Sequence, residues 1–500
     1  MKLNVKKILS LNKVVVFNSC LMILFFVFQA NVLSQHNIND NDITNAIEKE
    51  MWLDQAVNAN TINVSTADGI VTFTGTVDNI LAKDRAVKIA ESTKGVLAVI
   101  NRIKVEPMPN RSDSDIRESV ESALINDPAT ETFKISVNVN KGVVTLTGSV
   151  DSWTEKLLCT DVSKGVRGVK DIKNDISVNY KTTRPDLEIK NDIEGRLAND
   201  VRVDDNLIKV NVNNGDVTLT GSVGSLREKI RAKLDSWVIG VKSVNNDNLE
   251  VKWWARDEMR RKNFISRTDK EIKKAVEDAF FYDPRIFSFN IGIDVNMGTV
   301  TLTGIVNNLE AKKSAAQDAH NTMGVWRVVN LLKVRPKVIP SDDVLEKRVT
   351  NALVNNPYVD IYEITVSAAH GIVYLSGNVN TSFEKQQAEQ TSETVKGVTN
   401  VINTIKYDYR WTWKPDREIK ADIEDQLNWD TYIDNNNIKV TVNNGIATLN
   451  GEVYSWSGFE DAERNAYQGG AKDVINDLKV RNRFYGPYNP LYKYWDGPFY

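Results

Sequence analysis

Few residues in this chain are of a type that does chemistry unaided. Its 500 residues hold three histidines, His36, His320 and His370, and two cysteines, Cys20 and Cys159. A nucleophile–base pair or a zinc site needs such groups gathered with carboxylates, and no spacing here brings them together. His36 lies in a polar stretch and His320 late in a helical pattern. His370 sits at a tight turn, where imidazole tolerates left-handed backbone better than most side chains. Asp113, Asp115, Asp269 and Glu271 fall at helix starts, where the positive end of the helix dipole favours them. No phosphate loop or nucleophile motif occurs. The expectation is a protein with no catalytic site, no metal and no cofactor.

Groups suited to surface contact are better represented. KWWARDEMRRKNF puts Trp253 and Trp254 beside Arg256, Arg260, Arg261 and Lys262, and Lys252 to Lys274 holds nine basic and four acidic residues, a local charge of +5. Tryptophan favours membrane interfaces, and each Arg or Lys nearby is drawn to anionic headgroups by roughly 1 kcal/mol. These six residues are the candidate membrane contact; packing against the adjoining unit is the competing reading. A second aromatic stretch, RNRFYGPYNPLYKYWDGPFY, begins at Arg481, and YDYRWTWKP from Tyr407 reads as packing between units.

The elements around these stretches come from one repeated pattern. NVNNGDVTLTGSV, Asn211 to Val223, alternates apolar and polar residues on both sides of Asn214-Gly215. That is the strongest short-range hairpin signal, since the tight turn needs positive φ at both central residues. Five more copies follow the same plan. In each, the turn glycine precedes a second glycine by six residues: Gly75, Gly148, Gly221, Gly304, Gly377 and Gly451, with successive separations of 73, 73, 83, 73 and 74 residues. A fixed period of this kind marks an array of one unit. A glycine within a strand marks a close approach, and the expectation is that a helix crosses over it; a bulge is the alternative.

Each unit reads helix, strand, strand, helix, strand. In the second, Ile116, Val120, Ala123 and Leu124 share a helix face, and Leu157, Leu158 and Val162 are expected inward on the second helix. The result is an α+β fold of six tandem αββαβ units, each a three-stranded mixed sheet covered on one face by two helices. The other face carries Thr and Ser and is either wet or docked on a neighbour. The boundaries are 41–107, 112–179, 185–251, 267–335, 341–407 and 414–481, with a basic, aromatic linker at 252–266 and an aromatic tail at 482–500. Gly304, Gly377 and Gly451 follow Gly75, Gly148 and Gly221 by 229, 229 and 230 residues, and RPDLEIKNDIEGRL from Arg184 matches KPDREIKADIEDQL from Lys414, so three units were duplicated as a block. Short Pro-containing linkers favour a semi-rigid string.

Lys2, Lys6, Lys7 and Lys13 precede an apolar run from Val14 to Ala30, the layout of a secretory signal peptide ending near residue 34. An uncleaved membrane anchor is the alternative. With the leader removed, Cys159 has no disulfide partner and reads as a small buried hydrophobe. Sixty-three basic against 66 acidic residues, net −3, argue against a nucleic-acid partner.

A helix, a GxVxLxGxV hairpin, a second helix and a GVxxVxNxIxV-like strand together resemble the BON domain family, in all six units. The resemblance implies an αββαβ fold, an exported, periplasmic location and no catalysis. It further implies attachment to phospholipid surfaces or envelope proteins under osmotic stress. Six units exceed the one to three usual in the family. A scaffold array that docks protein partners or other copies of itself is the alternative.

Overall fold

The computed structural model describes residues 38–107, 111–130, 133–182, 184–258, 267–407 and 414–480. Residues 1–37, with the expected leader, Cys20 and His36, residues 408–413 of the YDYRWTWKP segment and the residues from 481 lie outside these.

Unit 3 shows how the sequence builds each module. Its first helix, Asp186–Asn199, ends at Asp200, and a 3₁₀ turn, Asp205–Leu207, leads into strands Ile208–Asn213 and Asp216–Val223. The second helix, Leu226–Asp235, precedes a third strand in two pieces, Ser243–Asn245 and Leu249–Val251. The first strand pairs antiparallel with the second and the third runs parallel to it, so the second is central. The same order recurs in every unit. Asn214 and Gly215 both have positive φ, and the equivalent Asp68, Lys141, Met297, His370 and Asn444 adopt the same conformation. His370 is thus a turn residue.

The acidic residues at helix starts do more than meet the dipole. Asp186 accepts from the N–H groups of Asn214 and Gly215 at 2.7 and 2.9 Å, and Asp40, Asp113, Asp269 and Asp416 grip their own turns in the same way. A charge-assisted bond to an otherwise open turn N–H is among the stronger ones, so one carboxylate ties the first helix to the hairpin. A second tie uses the asparagine of the last strand. Asn174 donates to the Lys156 carbonyl in the second helix at 2.8 Å and accepts from the Ile176 N–H. Asn330, Asn403 and Asn476 repeat both bonds.

Two expectations about packing are corrected. No helix is what forces the strand glycines. Gly221 has φ 113°, and a Cβ there would run into the Leu207 carbonyl oxygen at the entry to the partner strand. The other five glycines likewise face a carbonyl of their own hairpin. The close approach is backbone to backbone, nearer to the bulge alternative. The small residues that admit a helix are on the helix itself: Ala82, Ala86 and Ala90 in unit 1 and Ala311, Ala315 and Ala319 in unit 4 are buried in a stripe. In unit 2 the buried face is Cys159 and Ser163, with Val162 packed against the core as expected, while the half-buried Leu157 and Leu158 line the cavity between units. Leu157 and Leu158 look like core because they are bulky apolar residues of that helix, but the positions that meet the sheet are those of Cys159 and Ser163.

The units do not extend as a string. The end of the first helix of one unit meets the loop after the second helix of another, in the pairs 1–6, 2–5 and 3–4. Lys94 donates to the Trp429 carbonyl and Thr431 to that of Ser92; Met323 donates to Asn199 and Val201 to Asn321. In the pair 2–5 the contact is reciprocal, Arg167 N–H to Asn355 O and Lys396 N–H to Asn126 O. Diagonal contacts join 1 to 5 through Tyr358 Oη and the Ala56 carbonyl, and 3 to 6 through Arg227 and Asp461. Within the first three units, Lys164 pairs with Asp84, and Trp153 stacks on Trp237 at 3.7 Å. Within the last three, Lys313 pairs with Glu393, and His320 stacks on Trp456 at 4.6 Å. The six units form two stacked trios, each unit of one trio touching units of the other. Helices and the loops after them carry these contacts, which leaves the sheet faces outward.

Candidate functional surface and interior

The tryptophans singled out by sequence lie where unit 3 ends. Lys252 N–H donates to the Val223 carbonyl at 2.7 Å, continuing the third strand. A short helix, Trp253–Glu258, then folds against the central strand Asp216–Val223. Ala255 is buried there, Trp253 is half-buried and Trp254 remains 42% exposed. The segment packs on its unit and still presents one indole to solvent. Arg260, Arg261 and Lys262, and the side chain of Arg256, lie outside the described residues.

The outer sheet faces are mainly polar and open to solvent. In unit 1, Ser65, Thr72 and Ile100 stand side by side across the three strands, with Ser65 and Ile100 exposed.

The inner side is ionic. Helices of units 1 to 5 line a cavity of about 1400 Å³. Beside it Asp200 accepts from Arg202 at 2.6 Å and from Arg231 at 2.8 Å, and Arg231 also reaches Asp235. Burial opposes the charge on Asp200, but the two guanidinium groups outweigh it and hold the carboxyl well below the usual range. Asp461 is held low in the same way by Arg464 and Arg227. Where cations are scarcer the balance reverses. Burial raises Glu310 to about 8, with Asp127 adding repulsion and Arg285 opposing it. Burial, with Asp283, raises Asp318 to about 8. His320, packed against Trp456, is pushed down to about 4 by burial, and the buried thiol of Cys159 is pushed up to about 12.

These shifts follow from burial, and two further carboxylates inside the structure have backbone partners. Glu228 and Glu384, buried at the start of the second helices, accept from the backbone N–H of Asp204 and Asp360 respectively. Sequence reasoning missed them because a glutamate at that helix position reads as an exposed cap residue. Among the described residues no cluster of His, Cys, Asp and Glu could hold a metal ion, and no helix is long and apolar enough to cross a membrane.

Comparison with known proteins agrees with the geometry. Over 145 residues the chain is 27% identical to the osmotically-inducible protein Y of Escherichia coli, covering 28% of this chain and 72% of that protein. Over 114 residues it is 33% identical to the outer membrane lipoprotein DolP of Haemophilus influenzae, covering 22% of this chain and 58% of DolP. The C-terminal domain of CdsD, a structural protein of the type III secretion system of Chlamydia trachomatis, matches 43% of this chain and 100% of its own at 15% identity, with a TM-score of 0.12. The BON domain model matches residues 39–107, 112–180, 185–252, 268–336, 341–409 and 415–482, and the chain belongs to that family.

Proposed function

We propose that this is a non-enzymatic, exported binding protein of the cell envelope, which attaches to phospholipid surfaces or to envelope proteins under osmotic stress. The observation that carries the reading is the direction in which the units face. Six BON domains spend their helical faces on one another and turn their sheets outward, so one molecule presents several contact surfaces whose weak affinities combine. Relatives named for osmotic induction and for the outer membrane support the location. Trp254, exposed where unit 3 ends, is one such contact, with Trp253 beneath it and the basic residues from Arg256 to Lys262 following. Sedimentation with vesicles is the test. Vesicles containing anionic phospholipid should carry the protein down, and Trp253→Ala with Trp254→Ala should reduce the bound fraction severalfold. Failure of both anionic and neutral vesicles to bind it would remove the lipid reading and leave the scaffold, for which light scattering should then reveal self-association.

A further inference from the structure

The six units can be compared position by position, and unit 4 is marked by two exposed rings at one turn. The 3₁₀ turn before its first strand, Ser288–Asn290, follows Phe287 and contains Phe289; they are 61% and 83% exposed, with ring centroids 5.5 Å apart. In units 3, 5 and 6 the residue corresponding to Phe287 is Asp204, Asp360 or Asp434, which caps its turn through its side chain. In unit 1 the two positions are Asn58 and Asn60. Unit 4, like unit 1, has no side-chain cap at this turn; it places two phenyl rings in water where unit 5 places one ring, Tyr362. An exposed apolar cluster of this kind has a cost that a monomeric surface rarely carries without a contact to make.

Register shows what lies beside the rings. Ile291 pairs with Gly304, so the preceding turn lies beside Ile305 and Val306 of the central strand. On that strand's other edge Ile305 pairs with Lys333, and Arg335 N–H donates to the Val306 carbonyl at 2.8 Å. Ile305 and Leu331 are both exposed on the outer face. The corresponding residues in unit 1 are Thr76 and Arg102, and Glu106 stands where Arg335 does. Leu331 to Ile339 holds three basic residues and no acidic one. The nearby carboxylate of Asp283 is engaged by Arg285.

From this juxtaposition we propose that the Phe287–Phe289 end of unit 4 is a membrane-inserting contact for anionic phospholipid. The phenyl rings enter among the acyl chains while Lys333 and Arg335 meet the headgroups. A lipid surface is the occupant favoured because protruding rings flanked by cations, with the Asp283 carboxylate held by Arg285, match the apolar interior and anionic rim of a bilayer. The inference rests on the lipid reading above and adds a site to it that is separate from Trp254.

The test uses the full chain with vesicles of phosphatidylethanolamine and phosphatidylglycerol, and with phosphatidylcholine alone. Phe287→Asn with Phe289→Asn installs the residues unit 1 carries at these positions, and Arg335→Glu installs its Glu106. Each exchange lies on the surface and should leave thermal unfolding unchanged. The double variant should lose at least about fivefold in binding to anionic vesicles, and Arg335→Glu about threefold. Wild-type binding by both variants overturns this site while the lipid reading stands, as does equal binding of the native chain to neutral vesicles. If no vesicle binds the native chain, both fall. If the double variant keeps its vesicle binding but loses capture of an envelope protein, the patch belongs to a protein partner instead.

Discussion

The two three-unit halves solve the same packing problem with different residues. Asp84 of unit 1 and Lys164 of unit 2 form an ion pair at 2.7 Å. Lys313 and Glu393, each 229 residues further on, form the corresponding pair between units 4 and 5 at 2.5 Å, with the charges exchanged. Where units 1 and 3 meet, the aliphatic Leu226 packs on the joint core of units 1 and 2. Between units 4 and 6 the corresponding Trp456 stacks on His320 and donates its indole N–H to the Trp326 carbonyl at 2.9 Å. The interior of a unit is thus held constant while the seams diverge. Exchanged charges and different ring packing give each half its own side-by-side partners, so the wrong trio is disfavoured by like charges and poor fit.

The largest expected effect tests what the halves share. Gly221 and Gly451 occupy the same place and both face a carbonyl at positive φ. Alanine at either should cost about 3 kcal/mol or more, because the strain and the clash are both in the backbone. Urea unfolding followed by tryptophan fluorescence would measure it, and markedly unequal losses would break the equivalence of the units. The next effect tests where the halves differ. Trp456→Ala should cost about 2 kcal/mol, below the usual range for a buried aromatic because the ring is only half-buried, and Leu226→Ala should cost about half as much. Equal losses would deny the aromatic character of the second seam.

A pH profile sharpens the comparison further. Glu310 and Asp318 are both raised to about 8, chiefly by burial. Their folded values exceed the unfolded ones near 4, so the folded chain binds these protons more tightly. Their contribution is full below about pH 4 and is lost as the pH rises toward about 8. Asp318→Asn should flatten that decline and stabilise the chain at pH 9 by on the order of 1 kcal/mol, with little change at pH 5, as read by thermal unfolding. A steeper decline in the variant would contradict the origin of the shift. The smallest effect is at the exchanged ion pairs. Lys164→Glu alone should cost about 0.5–1 kcal/mol by placing like charges together, and adding Asp84→Lys should restore most of it. No recovery would mean that the pair is incidental.

The fold was legible in the sequence because its signals are local. Asn214-Gly215 between alternating strands and the acidic residues at helix starts, such as Asp113, each give their signal within a few residues. Leu157 and Leu158 were misread because periodicity shows which residues share a face, not whether that face meets the sheet of its own unit or the helix of another. The strand glycines were assigned to the wrong neighbour for a similar reason: glycine reports a close approach without naming what approaches. The closed arrangement was not legible at all. Its contacts join residues such as Arg227 and Asp461, 234 positions apart, and differ from seam to seam, so no repeat announces them. Of the candidate surface, Trp254 was visible as an aromatic beside cations, whereas Phe287 and Phe289 look like core residues until their exposure is known.

Solution X-ray scattering tests the central claim most directly, that six modules close on one another with their sheets outward. A compact body of this length should have a radius of gyration of about 22 Å, rising to no more than about 30 Å with the terminal segments. Six modules of about 28 Å laid end to end would instead give about 49 Å, and a value near that would contradict the closed arrangement and the outward-facing surface built on it.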